Sequence, residues 1–137
     1  MLGRLIAAAL AAATLSCGEL PTGPTRTLPL GEWGSDMAHI TALQTQTQFY
    51  FPGAVIVVDH PIQLDGRGGF RVNVSYPPCI GAPPPPGFQY PPAQPAVIEG
   101  TVNGTAMELR VIRADTGAIM VSADLVLGAA GRPPLCS

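Results

Sequence analysis

The alternation on either side of Asn103-Gly104 constrains this chain more than any other feature. Asn-Gly is the strongest short hairpin signal, because a type I′ turn needs positive φ at both central residues. Centred there, the hairpin pairs Val102 with Thr105, Gly100 with Met107, Glu99 with Glu108 and Ile98 with Leu109. It puts Ile98, Val102, Met107, Leu109 and Val111 on one face. Asp115-Thr116-Gly117 supplies the next turn, since Asp and Gly favour turns, and Ile119, Val121, Ala123, Leu125 and Leu127 continue the face. A period of two kept over three successive segments predicts an antiparallel meander.

The same logic extends upstream. Phe70, Val72, Val74 and Tyr76 alternate with Arg71, Asn73 and Ser75, after a turn at Asp65-Gly66-Arg67-Gly68-Gly69. Ala54-Val55-Ile56-Val57-Val58 is an unbroken run, expected for a strand buried on both faces or crossing between sheets. Between Pro77 and Ala96, nine of 20 residues are Pro, which a central strand excludes. Residues 77–96 therefore read as a stiff, Pro-rich loop of polyproline-II character. The expected fold is all-β, a small meander of six to eight strands closed as a barrel or a two-sheet sandwich. Either closure hides the edges.

The start of the chain has a different composition. Met1-Leu2-Gly3-Arg4 carries one positive charge and Leu5 to Leu15 is uncharged, the pattern of a secretory signal. Eleven residues at helical rise reach roughly 16 Å, about half a bilayer core, so this run is too short to span one. It ends in Ala13-Thr14-Leu15-Ser16-Cys17, which resembles the lipobox of bacterial lipoproteins, with Thr14 where leucine is commonest. The resemblance implies cleavage after Ser16, acyl chains on Cys17 and a protein tethered in the bacterial cell envelope, at the outer membrane or the outer face of the cell membrane. Cysteine parity agrees: of three cysteines, lipidation of Cys17 leaves Cys79 and Cys136 as an even pair that an oxidising compartment can bridge. Residues 17–30, rich in Pro, Gly and Thr, read as a tether, and residues 31–137 as the β domain.

Charge narrows the partners. Removal of residues 1–16 leaves six Arg and no Lys against nine acidic residues, so nothing drives counterion release from nucleic acid. The expected partners are the membrane, through the covalent lipid, and a protein or small apolar ligand. No cofactor is expected.

Residues 31–136 also resemble an uncharacterised family of small secreted or lipid-anchored bacterial proteins. The resemblance rests on Trp33-Gly34 and His39, on Pro61-Ile62-Gln63-Leu64-Asp65 with Gly68-Gly69-Phe70, on Gly100, Val102, Gly104, Met107, Leu109 and Val111, and on Gly131-Arg132-Pro133-Pro134 with Cys136. Family members usually carry a Cys-Ala-His-Gly segment where this chain has Phe49-Tyr50-Phe51-Pro52-Gly53. The resemblance therefore implies that Cys79 replaces the usual partner of the terminal cysteine.

Four constellations bear on function. Asp115-Thr116-Gly117 is similar to the aspartic-protease signature, but it lacks the preceding apolar residues and the supporting second half, and a hairpin turn accounts for it. Glu99, Glu108 and Asp124 fall on the outward face of the meander, where Arg110 offsets their repulsion; a solvated face explains them better than a calcium site, and no metal site is expected. His39 reads as a strand residue with a hydrogen-bond partner and His60 as a loop residue. Gly31-Glu32-Trp33 resembles the opening of lipocalin barrels and makes Trp33 the candidate binding residue, against a Trp that merely fills the core. The chain is thus expected to be a non-catalytic, membrane-anchored binding module, with a lipocalin-like carrier or an inhibitor of a host hydrolase as alternatives.

Overall fold

The computed structural model describes residues 26–78 and 85–134. They contain ten strands and no helix: β1 (Arg26–Thr27), β2 (Gly31–Gly34), β3 (His39–Ala42), β4 (Thr47–Phe51), β5 (Ala54–Val58), β6 (Gln63–Leu64), β7 (Gly69–Tyr76), β8 (Gln94–Asn103), β9 (Ala106–Arg113) and β10 (Ile119–Leu127). The fold is all-β. Eight strands form one antiparallel sheet in the order β5-β4-β3-β2-β10-β9-β8-β7, curled nearly into a barrel, and β1 pairs with β6 in a two-stranded accessory sheet. Of the two closures expected, the sheet approaches the barrel without completing it, since no ladder joins β5 to β7.

Alternation builds the interior. Trp33, Ile40, Phe49, Ile98, Met107, Leu109, Val111 and Leu125 all point inward and are buried. The β8–β9 hairpin keeps the expected faces with a different register. Asn103 pairs with Ala106, Val102 with Met107, Gly100 with Leu109, Glu99 with Arg110 and Ile98 with Val111. The two-residue loop is therefore Gly104-Thr105. Only glycines have positive φ among the described residues, and Gly104 sits at +66°. That is the type II′ pattern, with Gly first, and it spares Asn103 a left-handed conformation. Because the slip moves each partner by two residues, no side chain changes face.

Four further expectations are corrected. The β5 run is an edge strand with one open face: Val55 and Val57 are 57% and 50% exposed while Ala54, Ile56 and Val58 are buried. A bulge between Ile119 and Val121 turns Ile119 outward, at 58% exposure, so it does not share the face of Val121 and Leu125. Residues 26–30 belong to the folded domain and not to a tether: Leu28 is 1% exposed, its N–H donates to Ile62 O at 2.8 Å, and Arg26 pairs with Leu64. The Pro-rich loop ends earlier than residue 96, because β8 begins at Gln94 and takes in Pro95. Pro95 is tolerated there since pairing with β9 starts only at Ala96, and its carbonyl accepts from Ala114 N–H.

The pairing gives the barrel two unlike ends. One carries the Gly104-Thr105 turn, the Asp65–Gly68 turn and the Leu43–Gln46 turn, and Arg26 lies there, lining a groove with Asn103 and Gly104. The opposite end carries the Ser35–Ala38 turn, the Pro52-Gly53 turn, the Arg113–Ala118 turn and the exit of β7 into Pro77. After β10 the chain folds back as a strap. Gly128 N–H donates to Glu32 O, and the strap then runs over Gly34 and His39 toward the Pro52-Gly53 turn.

Candidate functional site

Trp33 sits at the centre of the core, with no exposed surface, and its Nε1–H donates to Pro29 O at 3.1 Å. Trp33 thus fills the barrel with Phe49, Ile40 and Leu125, and these side chains occupy the space a lipocalin-type ligand would need. Its polar handle is satisfied from outside the barrel by the segment preceding β2, as buried indoles require. Among the described residues, Trp33 lines neither the groove beside the strap nor the one at the seam.

The outward carboxylates are arranged as a paired surface. Glu99 lies between Arg71 and Arg110 on the flanking strands; its Oε2 accepts from Arg71 and its Oε1 from Arg110 Nη2 at 3.2 Å. Glu108 stands between Thr101 and Asp124. The register thus sets Glu99 diagonal to Glu108, on one groove with Arg71 and Arg110, and among the described residues no group of three His, Cys, Asp or Glu is placed to hold a metal. Asp115 is in the Arg113–Ala118 turn. Its carboxylate accepts two hydrogen bonds from Arg113, at 2.8 and 3.1 Å, which holds its pKa below the usual carboxylate value. Within the same turn Gly117 N–H donates to Arg113 O and Ala118 N–H to Thr116 Oγ1.

His60 lies in the loop between β5 and β6, where its carbonyl accepts from the buried hydroxyl of Thr47. His39 is more informative. It opens β3 with its ring on the outer face, under the strap. Gly131 N–H donates to Nδ1 at 3.0 Å, and Nε2 meets Glu32 Oε2 at 3.0 Å; Thr41 Oγ1–H donates to the same oxygen at 2.7 Å. The Tyr50 ring lies 5.6 Å away, with its hydroxyl donating to Gln48 Oε1.

Beside this cluster the strap and the β4–β5 hairpin enclose an outward-opening groove of about 460 Å³, lined by His39, Tyr50, Phe51, Val55, Pro133 and Pro134. Its walls are chiefly apolar. The strap approaches the sheet this closely because both crossing residues lack a Cβ. One on Gly34 would lie 2.3 Å from Ala129 O, and one on Gly131 would lie 2.5 Å from Ala38 O. In the sequence Trp33-Gly34 and Gly131 belong to separate motifs. Their meeting depends on a fold-back that no local pattern encodes.

A second groove, of about 550 Å³, marks where the barrel does not close. It runs between β5 and β7 from Asp59 and Val72 down to Val55 and Pro77. Phe51 and Tyr76, with centroids 5.9 Å apart, close its lower end from inside. On the Pro-rich loop, Phe88 and Tyr90 are exposed and form a perpendicular pair 5.5 Å apart. Cys17, Cys79 and Cys136, the lipidation and disulfide candidates, lie outside the described residues.

Compared with protein-family models, curated proteins and solved structures, the chain finds no match.

Proposed function

We propose that the chain is an exported, lipid-anchored protein of the bacterial cell envelope whose barrel is a non-catalytic binding module. On this reading Cys17 is the anchor, and the end of the barrel remote from Arg26 meets the partner. The observation that carries the reading is the position of the apolar groove. Arg26, through which the chain from Cys17 enters the barrel, is at one end, and the groove of His39, Tyr50, Val55, Pro133 and Pro134 opens toward the other. Eight residues separate Cys17 from Arg26 and reach roughly 25 to 30 Å when extended, enough to lift that end clear of headgroups. Exposed apolar side chains stand at both ends, Met37, Ile119 and Met120 at the far one and Leu30, Leu43 and Val126 at the near one, so the groove is what distinguishes them.

The proposed Cys79–Cys136 bridge fits the same geometry. Pro77, two residues before Cys79, and Pro134, two before Cys136, line grooves that share Val55. Pro77 and Pro134, the described residues nearest to each cysteine on these grooves, thus lie on the same side of the barrel seam.

The test is photo-crosslinking in intact envelopes. A photoreactive residue at Val55 should give a discrete protein adduct, one at Thr101 should not, and Tyr50→Ala should abolish the Val55 adduct. Absence of any Val55 adduct in correctly localised protein removes the groove from consideration. Anchoring is tested separately: Cys17→Ser should release the protein to the soluble fraction or block maturation, and mass spectrometry should find acyl chains on Cys17.

A further inference from the structure

We propose that His39 is a pH-sensitive latch: the neutral imidazole holds the strap, residues 129–134, across β2, β3 and β4, and protonation lets it go. The hydrogen-bond directions carry the inference. Gly131 N–H can only donate, so Nδ1 must present its lone pair. The ring proton is then on Nε2 and is donated to Glu32 Oε2. Both ring nitrogens are committed in a single tautomer. A second proton can enter only at Nδ1, where it would face the Gly131 N–H, donor against donor.

The strap has little else to hold it. Gly128 N–H and Ala129 N–H anchor its beginning, on Glu32 O and Val126 O. Beyond Ala129, the bond to His39 is the one hydrogen bond to the strap among the described residues. The Gly34–Gly131 crossing adds close contact but no directional bond.

The groups facing the ring set the sign. From β2 comes the Glu32 carboxylate, whose side chain is 53% exposed and therefore screened by solvent. Thr41 on β3 hydrogen-bonds to that carboxylate, and Tyr50 on β4 has its hydroxyl committed to Gln48. From the strap comes only the Gly131 N–H, with Arg132 the next residue in the chain. Imidazole is the side chain that changes charge between about pH 5 and 8. The latch is closed while the ring is neutral and opens as pH falls through its titration, with Glu32 left holding the charged ring. Since Gly131, Pro133 and Pro134 form one wall of the apolar groove, opening the latch reshapes that groove. This last step rests on the binding role proposed above; the latch itself does not.

Amide exchange measured by NMR on the full chain in detergent micelles, from pH 8 to pH 5, tests both parts. The Gly131 protection factor should fall at least tenfold as the His39 ring titrates, while that of Val102, which donates to Gly68 O at the opposite end of the barrel, stays constant. His39→Gln, whose amide oxygen accepts at any pH, should keep Gly131 protection flat. Unchanged Gly131 protection across the His39 titration, or the same loss in His39→Gln, would overturn the latch. A Val55 crosslink that ignores pH while Gly131 deprotects would sink the control of binding and leave the latch standing.

Discussion

Removing residues 26–30 should cripple the domain, although composition assigns them to a tether. Two chains make the comparison, one starting at Arg26 and one at Gly31. The shorter chain loses Leu28, which is 1% exposed; deleting a buried leucine side chain costs about 2–5 kcal/mol. It also loses Pro29 O, the acceptor for Trp33 Nε1–H at 3.1 Å, and an unsatisfied buried donor costs about 1–3 kcal/mol. The β1–β6 pairing and the Leu28 N–H bond to Ile62 O go with them. The sum, roughly 3–8 kcal/mol, is comparable with the whole stability of a domain this size, about 5–15 kcal/mol. Trp33 is the only tryptophan, so its fluorescence reports the transition without interference. Urea titration of the chain from Arg26 should give one cooperative transition, and that of the chain from Gly31 a midpoint lower by about half or no transition. Equal midpoints would refute the packing role of Leu28, and Leu28→Ala in the longer chain should reproduce about half of the loss.

Gly34→Ala places a Cβ 2.3 Å from Ala129 O and 2.4 Å from Gly131 N, both backbone atoms, so the strap must move. The expected loss is about 1–3 kcal/mol in thermal unfolding, with Gly131 amide protection lost at every pH. Glu108 and Asp124 face each other across β9 and β10, a like-charge pair; Glu108→Lys should raise stability by about 0.5 kcal/mol, and the gain should vanish in Asp124→Asn. The Asp65 carboxylate accepts from Arg67 N–H at 2.8 Å and Gly69 N–H at 2.9 Å, and these backbone bonds hold its pKa below the ordinary value. A depressed folded pKa contributes stability that is present above the unfolded value of about 3.9 and lost as pH falls through the folded value. Asp65→Ala should therefore flatten the acid limb of urea midpoint against pH below about pH 4. If the Cys79–Cys136 bridge forms, Cys79→Ser and Cys136→Ser should lower stability equally and non-additively, by up to about 4 kcal/mol for a closed loop of roughly 60 residues, and reductant should match either variant.

What the sequence made legible was whatever depends on a period of two. The faces of β7, β8, β9 and most of β10 follow from alternation, as does their antiparallel order. The hairpin register did not, because Asn103-Gly104 offers positive φ at two positions and the fold uses it only at Gly104. In β5 the unbroken Val and Ile run hid its position at the sheet edge; β-branched residues suit a half-exposed strand as well as a buried one. Leu28 was concealed by its neighbours, since Pro, Gly and Thr around one leucine look like a linker until a surface exists for that leucine to cover. The His39 contact was illegible for another reason. Its partner Gly131 is 92 residues away, and the pairing is between a ring nitrogen and a backbone amide, to which side-chain patterns are blind.

The unclosed seam and the strap belong to one architectural problem. β5 and β7 run antiparallel at the two ends of the sheet, as a closed barrel requires, yet no ladder joins them. β7 pairs with β8 along its full length, Gly69 to Tyr76, whereas β5 is five residues long, so the two edges match poorly. Side chains do part of the closing: Phe51 meets Tyr76 at one end, and β6 carries the chain across the other. What they leave open is a groove flanked by the exposed Val55 and Val57, an uncharged edge of the kind that invites pairing with another chain. The strap is directed at this weakness. It leaves β10 on the far side of β2, crosses the outer faces of β2, β3 and β4, and arrives at Val55, where Pro77 also leaves β7. A disulfide between Cys79 and Cys136, as proposed, would tie the two sides of the seam by a covalent bond where the backbone makes no ladder. The His39 latch then lies midway along the strap, between its anchored start at Gly128 and the proposed bridge, so its opening would bow the strap outward over the groove without freeing its end.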